Sequence, residues 1–418
     1  MDLIIYPQHL KGIVEAPPSK SYTHRAIICA SLACGRSVIH NPLICNDTHA
    51  TINALKAIGV NIVYYETRIE IDGLNEIHIP KKPIFCHESA STMRMLIPFF
   101  STLHHEWTFL GSEYLIKRLQ DDDLHELKGL SFEKQNKELR FRGQLNQSEY
   151  LLSGHNTSQF ISGMIMALPF LTPSTKLKFQ AIDINNPYVQ LTMVTCQHFG
   201  LEFLFPDSSS LILKTGSHYQ KREFTVEGDF SNSACWLAAA YFNPQLRVSG
   251  LNPLSRQGDA RFFKFLEKMK VKYRYEDGDY FYLNGKIASA EIDISETPDL
   301  APILAAVAAL GTGTVIISGI DKLQYKESNR ALAIMEGLNR LGGSVEIIDN
   351  RMVIHGKALL DGGCEVDSYN DHRMVMAFAI LGNQVRSPLI IKNFAAVNKS
   401  YPNFFNVFQQ IGGKTEVV

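Results

Sequence analysis

One pattern recurs along the whole chain: an amphipathic helical stretch, a glycine, then a run of strand-forming residues. It ends Ala54-Leu55-Lys56-Ala57-Ile58-Gly59-Val60, and returns at Gly129, Gly200, Lys270, Gly342 and Gly412. Successive positions lie 70 to 72 residues apart. Six copies in register constrain the fold more than any other feature of the sequence. Each copy is too long for a solenoid repeat and has the content of a small α/β unit. Glycine suits the end of a helix, where the chain turns left-handed; only the fourth copy, with Lys270, lacks it.

A second signal keeps the same phase. About 40 residues before each of these positions, a polar loop opens a nearly all-apolar segment. The openings are Lys20-Ser21, Ser89-Ala90-Ser91-Thr92, Thr157-Ser158-Gln159, Asp229-Phe230-Ser231-Asn232-Ser233, Asp299 and Asp371-His372-Arg373. A helix apolar on every side belongs inside a domain, so each unit is expected to bury one. Its N-terminus carries unpaired N–H groups and partial positive charge, which favours anions. About 12 residues before each glycine position an outer helix begins, at sites that include Arg118, Tyr188, Asp259, Lys326-Glu327-Ser328-Asn329-Arg330 and Lys399-Ser400-Tyr401. Solvated helix faces alone do not explain cations and carboxylates recurring at equivalent places.

Six units divide most simply into two domains of three. The expected division is 1–18 plus 228–418 for one domain and 19–227 for the other, with the active site in the cleft between them, where closure excludes water. The strand Leu3-Ile4-Ile5-Tyr6 must then return to complete a sheet of the domain that ends the chain. With 41 basic and 42 acidic residues there is no overall basic footprint for nucleic acid, so any anion site has to be built locally. Seven scattered cysteines show no zinc spacing and fit reduced thiols. No apolar run is long enough to span a membrane, and the first residues do not read as a signal peptide, so a cytoplasmic protein is expected.

The stretch Pro18-Ser19-Lys20-Ser21 with Arg25 places two cations and two hydroxyls at a helix start. Downstream come Thr157-Ser158-Gln159-Phe160-Ile161-Ser162, Asn186-Pro187-Tyr188, Val226-Glu227-Gly228-Asp229, Gln257-Gly258-Asp259 and Pro298-Asp299. Lys326-Glu327-Ser328-Asn329-Arg330, Asp371-His372-Arg373-Met374 and Asn398-Lys399-Ser400-Tyr401-Pro402 complete the series. This ordered set resembles the 5-enolpyruvylshikimate-3-phosphate synthase family of enolpyruvyl transferases over essentially the full length. The resemblance implies an α/β fold of two domains, each of three inverse α/β units with buried parallel helices.

It also implies a reaction of the shikimate pathway, within aromatic amino-acid biosynthesis. The enolpyruvyl group of phosphoenolpyruvate (PEP) passes to the 5-hydroxyl of shikimate 3-phosphate, with release of phosphate through a tetrahedral intermediate. The resemblance assigns PEP to Lys20, Ala90, Arg118, Gln159, Arg330, Arg373 and Lys399. It assigns shikimate 3-phosphate to Ser21, Arg25, Thr157, Ser158, Gln159, Tyr188, Asp299 and Lys326. Arginines grip phosphate and carboxylate through paired hydrogen bonds, which is what such anions demand. Asp299 is the candidate base at the hydroxyl and Glu327 the candidate acid at the PEP methylene, with Lys20 and Lys399 stabilising developing charge or moving a proton. No metal or organic cofactor is implied, and a monomer is expected.

Three places depart from the family pattern. Ala90 stands where a glycine packs beside PEP, and His87 replaces another glycine; an added methyl there is expected to reduce sensitivity to glyphosate, which occupies the PEP site. The segment Ile116-Lys117-Arg118-Leu119-Gln120 lacks the family's proline and leaves the register between Lys117 and Arg118 open. Gln324 stands where arginine is common. Competing readings are an enolpyruvyl transferase for UDP-N-acetylglucosamine, which opens with Lys-Asn and uses a loop cysteine, and a catalytically weakened relative that binds shikimate 3-phosphate or a similar anionic metabolite. Lys20-Ser21 speaks against the first, and Cys86 reads as structural.

Overall fold

The computed structural model describes residues 1–154 and 157–418. The chain forms two compact units, Met1–Pro17 with Gly228–Val418, and Pro18–Glu227. The described residues form six four-stranded sheets, three in each unit, and all six share one pattern: a parallel pair followed by two antiparallel neighbours. In the unit Pro18–Glu227, Glu149–Leu152 pairs parallel with Lys176–Phe179, which runs antiparallel to Ser210–Leu213, which in turn pairs Phe203–Leu204. In the other unit, Ala290–Asp293, Thr314–Ser318, Arg351–His355 and Ser344–Ile348 repeat that order.

The repeat read from the sequence is therefore this sheet with its two helices. In four of the six, the parallel strands flank a buried helix in sequence: Ala90–Phe100, Gln159–Ala167, Ala301–Ala309 and His372–Gly382. Every residue of Ala301–Ala309 is buried, which is why its sequence carries no polar face. The other two buried helices, Lys20–Leu32 and Phe230–Phe242, follow the points where the chain passes between units. All six glycine-phase positions adopt the left-handed conformation, from Gly59 at φ +107° to Lys270 at φ +65°. Lys270 thus keeps the backbone that glycine supplies elsewhere, at a steric cost of about 1 kcal/mol.

The N-terminal strand completes the last sheet. Leu3–Tyr6 lies between Leu389–Lys392 and Lys414–Val417, with Leu3 opposite both Ile391 and Val417. It fills the position that the second strand of a hairpin holds in the other sheets. Each unit has its own apolar core. In the unit containing the chain ends, Trp236 is fully buried, stacks on Phe404 at 4.7 Å between centroids and donates to Tyr401 Oη at 3.3 Å. In the other, helix Ala90–Phe100 packs against Gln159–Ala167 so closely that a Cβ on Gly163 would meet the Arg94 and Met95 carbonyl oxygens at 2.8 Å. No helix among the described residues is long and apolar enough to cross a membrane.

Candidate active site

Four of the six polar openings of the buried helices carry a side-chain cap. Ser19 Oγ accepts from the Tyr22 N–H, Ser89 Oγ from Thr92, Asp229 Oδ1 from Asn232 and Asp371 Oδ1 from Arg373. Capping of this kind fixes where the first turn begins, and so sets the positions of the functional side chains one or two residues further on.

In the unit Pro18–Glu227, helix Lys20–Leu32 carries Lys20, Ser21 and Arg25 on its first turns. Lys20 Nζ pairs with Asp47 Oδ2 at 2.9 Å, both largely shielded from solvent. Arg25 is buried, and among the described residues no carboxylate pairs with it. Burial lowers its guanidinium to about 10, which leaves it charged at neutral pH. Ala90 is the buried first residue of its helix, directly after the Ser89 cap. Gln159 begins the next buried helix; its Nε2 donates to Ser91 Oγ at 2.8 Å, and its Oε1 accepts from Arg94 at 3.1 Å. Arg94 also donates to the Arg118 carbonyl oxygen at 2.8 Å, so one arginine ties Gln159 to the Arg118 segment. Thr157 Oγ1 accepts from the Gln159 N–H, and Ser158 is the N-cap residue of that helix. Tyr188 opens helix Pro187–His198, and its carbonyl oxygen lies 3.4 Å from Arg25 Nη2.

Of the two residues between which the register was open, Arg118 is buried and Lys117 is exposed, paired with Glu113 at 2.7 Å. His87 adopts φ +54°, the left-handed backbone of a glycine position. Cys86 is fully buried, and burial pushes its thiol well up, consistent with a structural role.

In the other unit the charged residues interlock around Arg330, which is 1% exposed and is the first residue of helix Arg330–Arg340. Its Nη1 donates to Asp299 Oδ1 at 2.6 Å, Nη2 to Glu327 Oε2 at 2.5 Å, and Nε to Asp371 Oδ2 at 2.7 Å. Lys326 Nζ reaches the same Asp299 oxygen at 3.1 Å, and Arg373 Nη2 lies 3.9 Å from Asp299 Oδ2. Burial alone would raise the Asp299 carboxyl, but Lys326, Arg330 and Arg373 hold it well below the usual carboxylate range. Burial lowers the Lys326 ammonium against the pull of Asp299. Asp259, 4% exposed, is pushed up to about 6 by burial and by repulsion from Asp299. Lys399 Nζ donates to the Asn370 carbonyl oxygen at 2.7 Å, one residue before Asp371.

Asp299, Lys326, Glu327, Arg330 and Arg373 therefore form one continuous network, with Lys399 anchored beside it. Lys20, Arg25, Gln159 and Arg118 are each fixed by their own partners at neighbouring helix starts. Sequence reasoning gave no role to three groups that hold these residues. Asp371 bonds Arg330 with both carboxylate oxygens; Asp47 receives Lys20; Arg94 joins Gln159 to Arg118. Asp371 stood inside a quoted motif and Arg94 two residues beyond one, and only their burial gives them away. Among the described residues, no set of three or more His, Cys, Asp or Glu side chains is placed to hold a metal ion.

The arrangement has recognisable relatives. The family model described as EPSP synthase (3-phosphoshikimate 1-carboxyvinyltransferase) matches residues 5–408. A 3-phosphoshikimate 1-carboxyvinyltransferase of Clostridioides difficile (strain 630) is 34% identical, over 99% of this chain and 98% of that protein. One from Clostridium kluyveri is also 34% identical, over 99% and 97%. Among solved structures, an EPSP synthase from Acinetobacter baumannii matches with a TM-score of 0.79 at 21% identity, covering both chains completely. The enolpyruvyl transferase NikO from Streptomyces tendae matches at 0.78 with 14% identity, over 99% of this chain and 98% of that one. These two likenesses bear out the fold class expected from the repeats.

Proposed function

We propose that this chain, which belongs to the EPSP synthase (3-phosphoshikimate 1-carboxyvinyltransferase) family, transfers the enolpyruvyl group of PEP to the 5-hydroxyl of shikimate 3-phosphate and releases phosphate. The observation that carries the chemistry is the pairing of two carboxylates, Asp299 and Glu327, on one buried arginine, Arg330. Taking a proton from the 5-hydroxyl oxygen while giving one to C3 of PEP calls for two such groups, and anionic substrates call for cations beside them.

The 5-hydroxyl oxygen attacks C2 of PEP and gives its proton to Asp299, while C3 takes a proton from Glu327. In the tetrahedral intermediate C2 carries the carboxylate, the phosphate, the new ether oxygen and a methyl group. Loss of phosphate, with return of a methyl proton to the enzyme, forms the vinyl ether. Asp299 is ionised at neutral pH but a weak base while three cations face it. Binding of PEP anions to Arg330 and Arg373 draws those cations off Asp299 and Glu327, which raises the basicity of the first and frees the second to act as an acid. Lys20, Ala90, Arg118, Gln159 and Lys399 complete the PEP site in this reading. Ser21, Arg25, Thr157, Ser158, Tyr188 and Lys326 serve shikimate 3-phosphate. In this reading the two groups of residues act on one pair of substrates. Both come from a single chain, which supports a monomer as the working unit, and the cysteine usage supports a cytoplasmic setting.

Phosphate release from PEP by the purified protein, measured with and without shikimate 3-phosphate, tests the reaction. Release that requires shikimate 3-phosphate is expected; binding of shikimate 3-phosphate without release would favour a weakened relative. The buried Ala90 methyl supports lower glyphosate sensitivity. Ala90→Gly is expected to lower the glyphosate concentration that halves phosphate release, and an unchanged value would remove Ala90 as the cause.

A further inference from the structure

Arg25 poses a problem that the proposed reaction does not solve. A guanidinium carries five N–H donors, and its aim at a ligand depends on which of them the protein already holds. Here Nε donates to Thr192 Oγ1 at 2.7 Å and Nη2 to Ser162 Oγ at 3.0 Å. Nη1 donates to the Ser21 carbonyl oxygen at 2.9 Å, and Nη2 is 3.4 Å from the Tyr188 carbonyl oxygen. Thr192 and Ser162 are fully buried, and their oxygens lie 2.8 Å apart. Thr192 Oγ1 is also 2.9 Å from the Tyr188 carbonyl oxygen, so its own rotamer is fixed from the backbone of the residue assigned to substrate.

Three helices meet at this point: Arg25 comes from Lys20–Leu32, Ser162 from Gln159–Ala167 and Thr192 from Pro187–His198. Every acceptor on the guanidinium is neutral. A carboxylate at either hydroxyl position would fix the arginine equally well, but it would also cancel its charge. Hydroxyls fix its direction and leave its charge for a ligand. We infer that Thr192 and Ser162 are a hydroxyl clamp that positions the Arg25 guanidinium and thereby sets the affinity of this site for an anionic group of the shikimate substrate. The inference rests on the assignment of Arg25 to shikimate 3-phosphate; it adds two positioning residues that touch no substrate.

The test is T192V, which keeps the side-chain shape and removes the hydroxyl, with T192S as the conservative control. The dissociation constant for shikimate 3-phosphate, by calorimetry, is expected to rise about tenfold in T192V, the loss of one hydrogen bond to a charged donor, and to return near wild type in T192S. In turnover the KM for shikimate 3-phosphate rises in parallel, while the KM for PEP and kcat at saturation change by no more than about threefold. A merely structural threonine would lower the melting temperature and leave the affinity alone; that result overturns the clamp. Should T192V not fold, S162A carries the same test, with an expected rise of about threefold and an unchanged affinity overturning the proposal. Wild-type protein that binds shikimate 3-phosphate but releases no phosphate overturns the reaction and leaves the clamp to stand or fall on the affinities.

Discussion

Arg25 and Arg330 are both buried arginines near the start of a helix, one in each unit, and they are held in opposite ways. Arg330 is wrapped by Asp299, Glu327 and Asp371, whereas Arg25 is held by two hydroxyls and two carbonyl oxygens. The same α/β repeat thus supports two electrostatic solutions. Around Arg330 the charges are compensated within the protein, so in the proposed reaction a ligand enters by exchanging partners, which changes the protonation chemistry of the carboxylates. Around Arg25 the charge is uncompensated, so a ligand enters by adding a partner. In the proposed reaction the first arrangement suits proton transfer and the second suits binding.

The strongest way to break this contrast is at the carboxylates. Asp299→Ala and Glu327→Gln are each expected to lower kcat at least ~100-fold, the scale of a lost general acid or base. Calorimetry should find shikimate 3-phosphate binding better preserved in Glu327→Gln than in Asp299→Ala; near-normal turnover in either removes its assigned role. Stability separates the arginines next. Arg330→Met takes a shared cation from three carboxylates and should cost ~3–5 kcal/mol in urea denaturation. Arg25→Met takes a cation from none and should cost distinctly less, while abolishing measurable binding of shikimate 3-phosphate. Equal losses of stability would erase the distinction.

Asp259 sharpens it through pH. Its folded pKa, about 6, lies above the ordinary carboxylate value of 3.8, so the folded state holds the proton more tightly than the unfolded chain. Stability from this group is fully present below about pH 4 and is lost as pH rises towards 6. Asp299 runs the other way: its depressed pKa gives stability that is present above about pH 4 and lost as pH falls further. Asp259→Asn is therefore expected to gain on wild type by on the order of 1–3 kcal/mol between pH 4 and pH 7. A constant difference across that range contradicts the assignment. The smallest effect concerns backbone strain, of which each unit has a clear case. His87→Gly and Lys270→Gly should each stabilise their unit by ~1 kcal/mol in thermal or urea unfolding, since both sit at positive φ. A loss of stability at either would show that its side chain contributes more than its strained backbone costs.

Much of this was legible because the repeat prints itself twice, once in glycine spacing and once in the polar starts of buried helices. The left-handed turn at Lys270 shows why the phase mattered more than the residue: five glycines at the same spacing identified a backbone that the sixth residue adopts without being glycine. The motif carboxylates and cations around Arg330 stand at three helix starts of two successive repeats, those of Ala301–Ala309, Arg330–Arg340 and His372–Gly382. What stayed hidden was second-layer contact. Thr192 and Ser162 read as ordinary hydroxyls, one in an outer helix and one in a buried helix, and Asp47 as one polar residue in a helix start. Only packing between helices far apart in sequence, such as Lys20–Leu32 against Pro187–His198, gives them partners. Nor does composition tell a charge answered by carboxylates from one answered by hydroxyls.

The strand Leu3–Tyr6, held between Leu389–Lys392 and Lys414–Val417, has a consequence for the order of synthesis. It is made well before either of the neighbours it pairs with, which lie more than 380 residues further along the chain. The unit Pro18–Glu227 is continuous and can settle while translation proceeds, in the manner of N-terminal domains generally. Throughout that time the first strand waits as an open ribbon of apolar residues with unpaired backbone, exposed to any passing sheet edge.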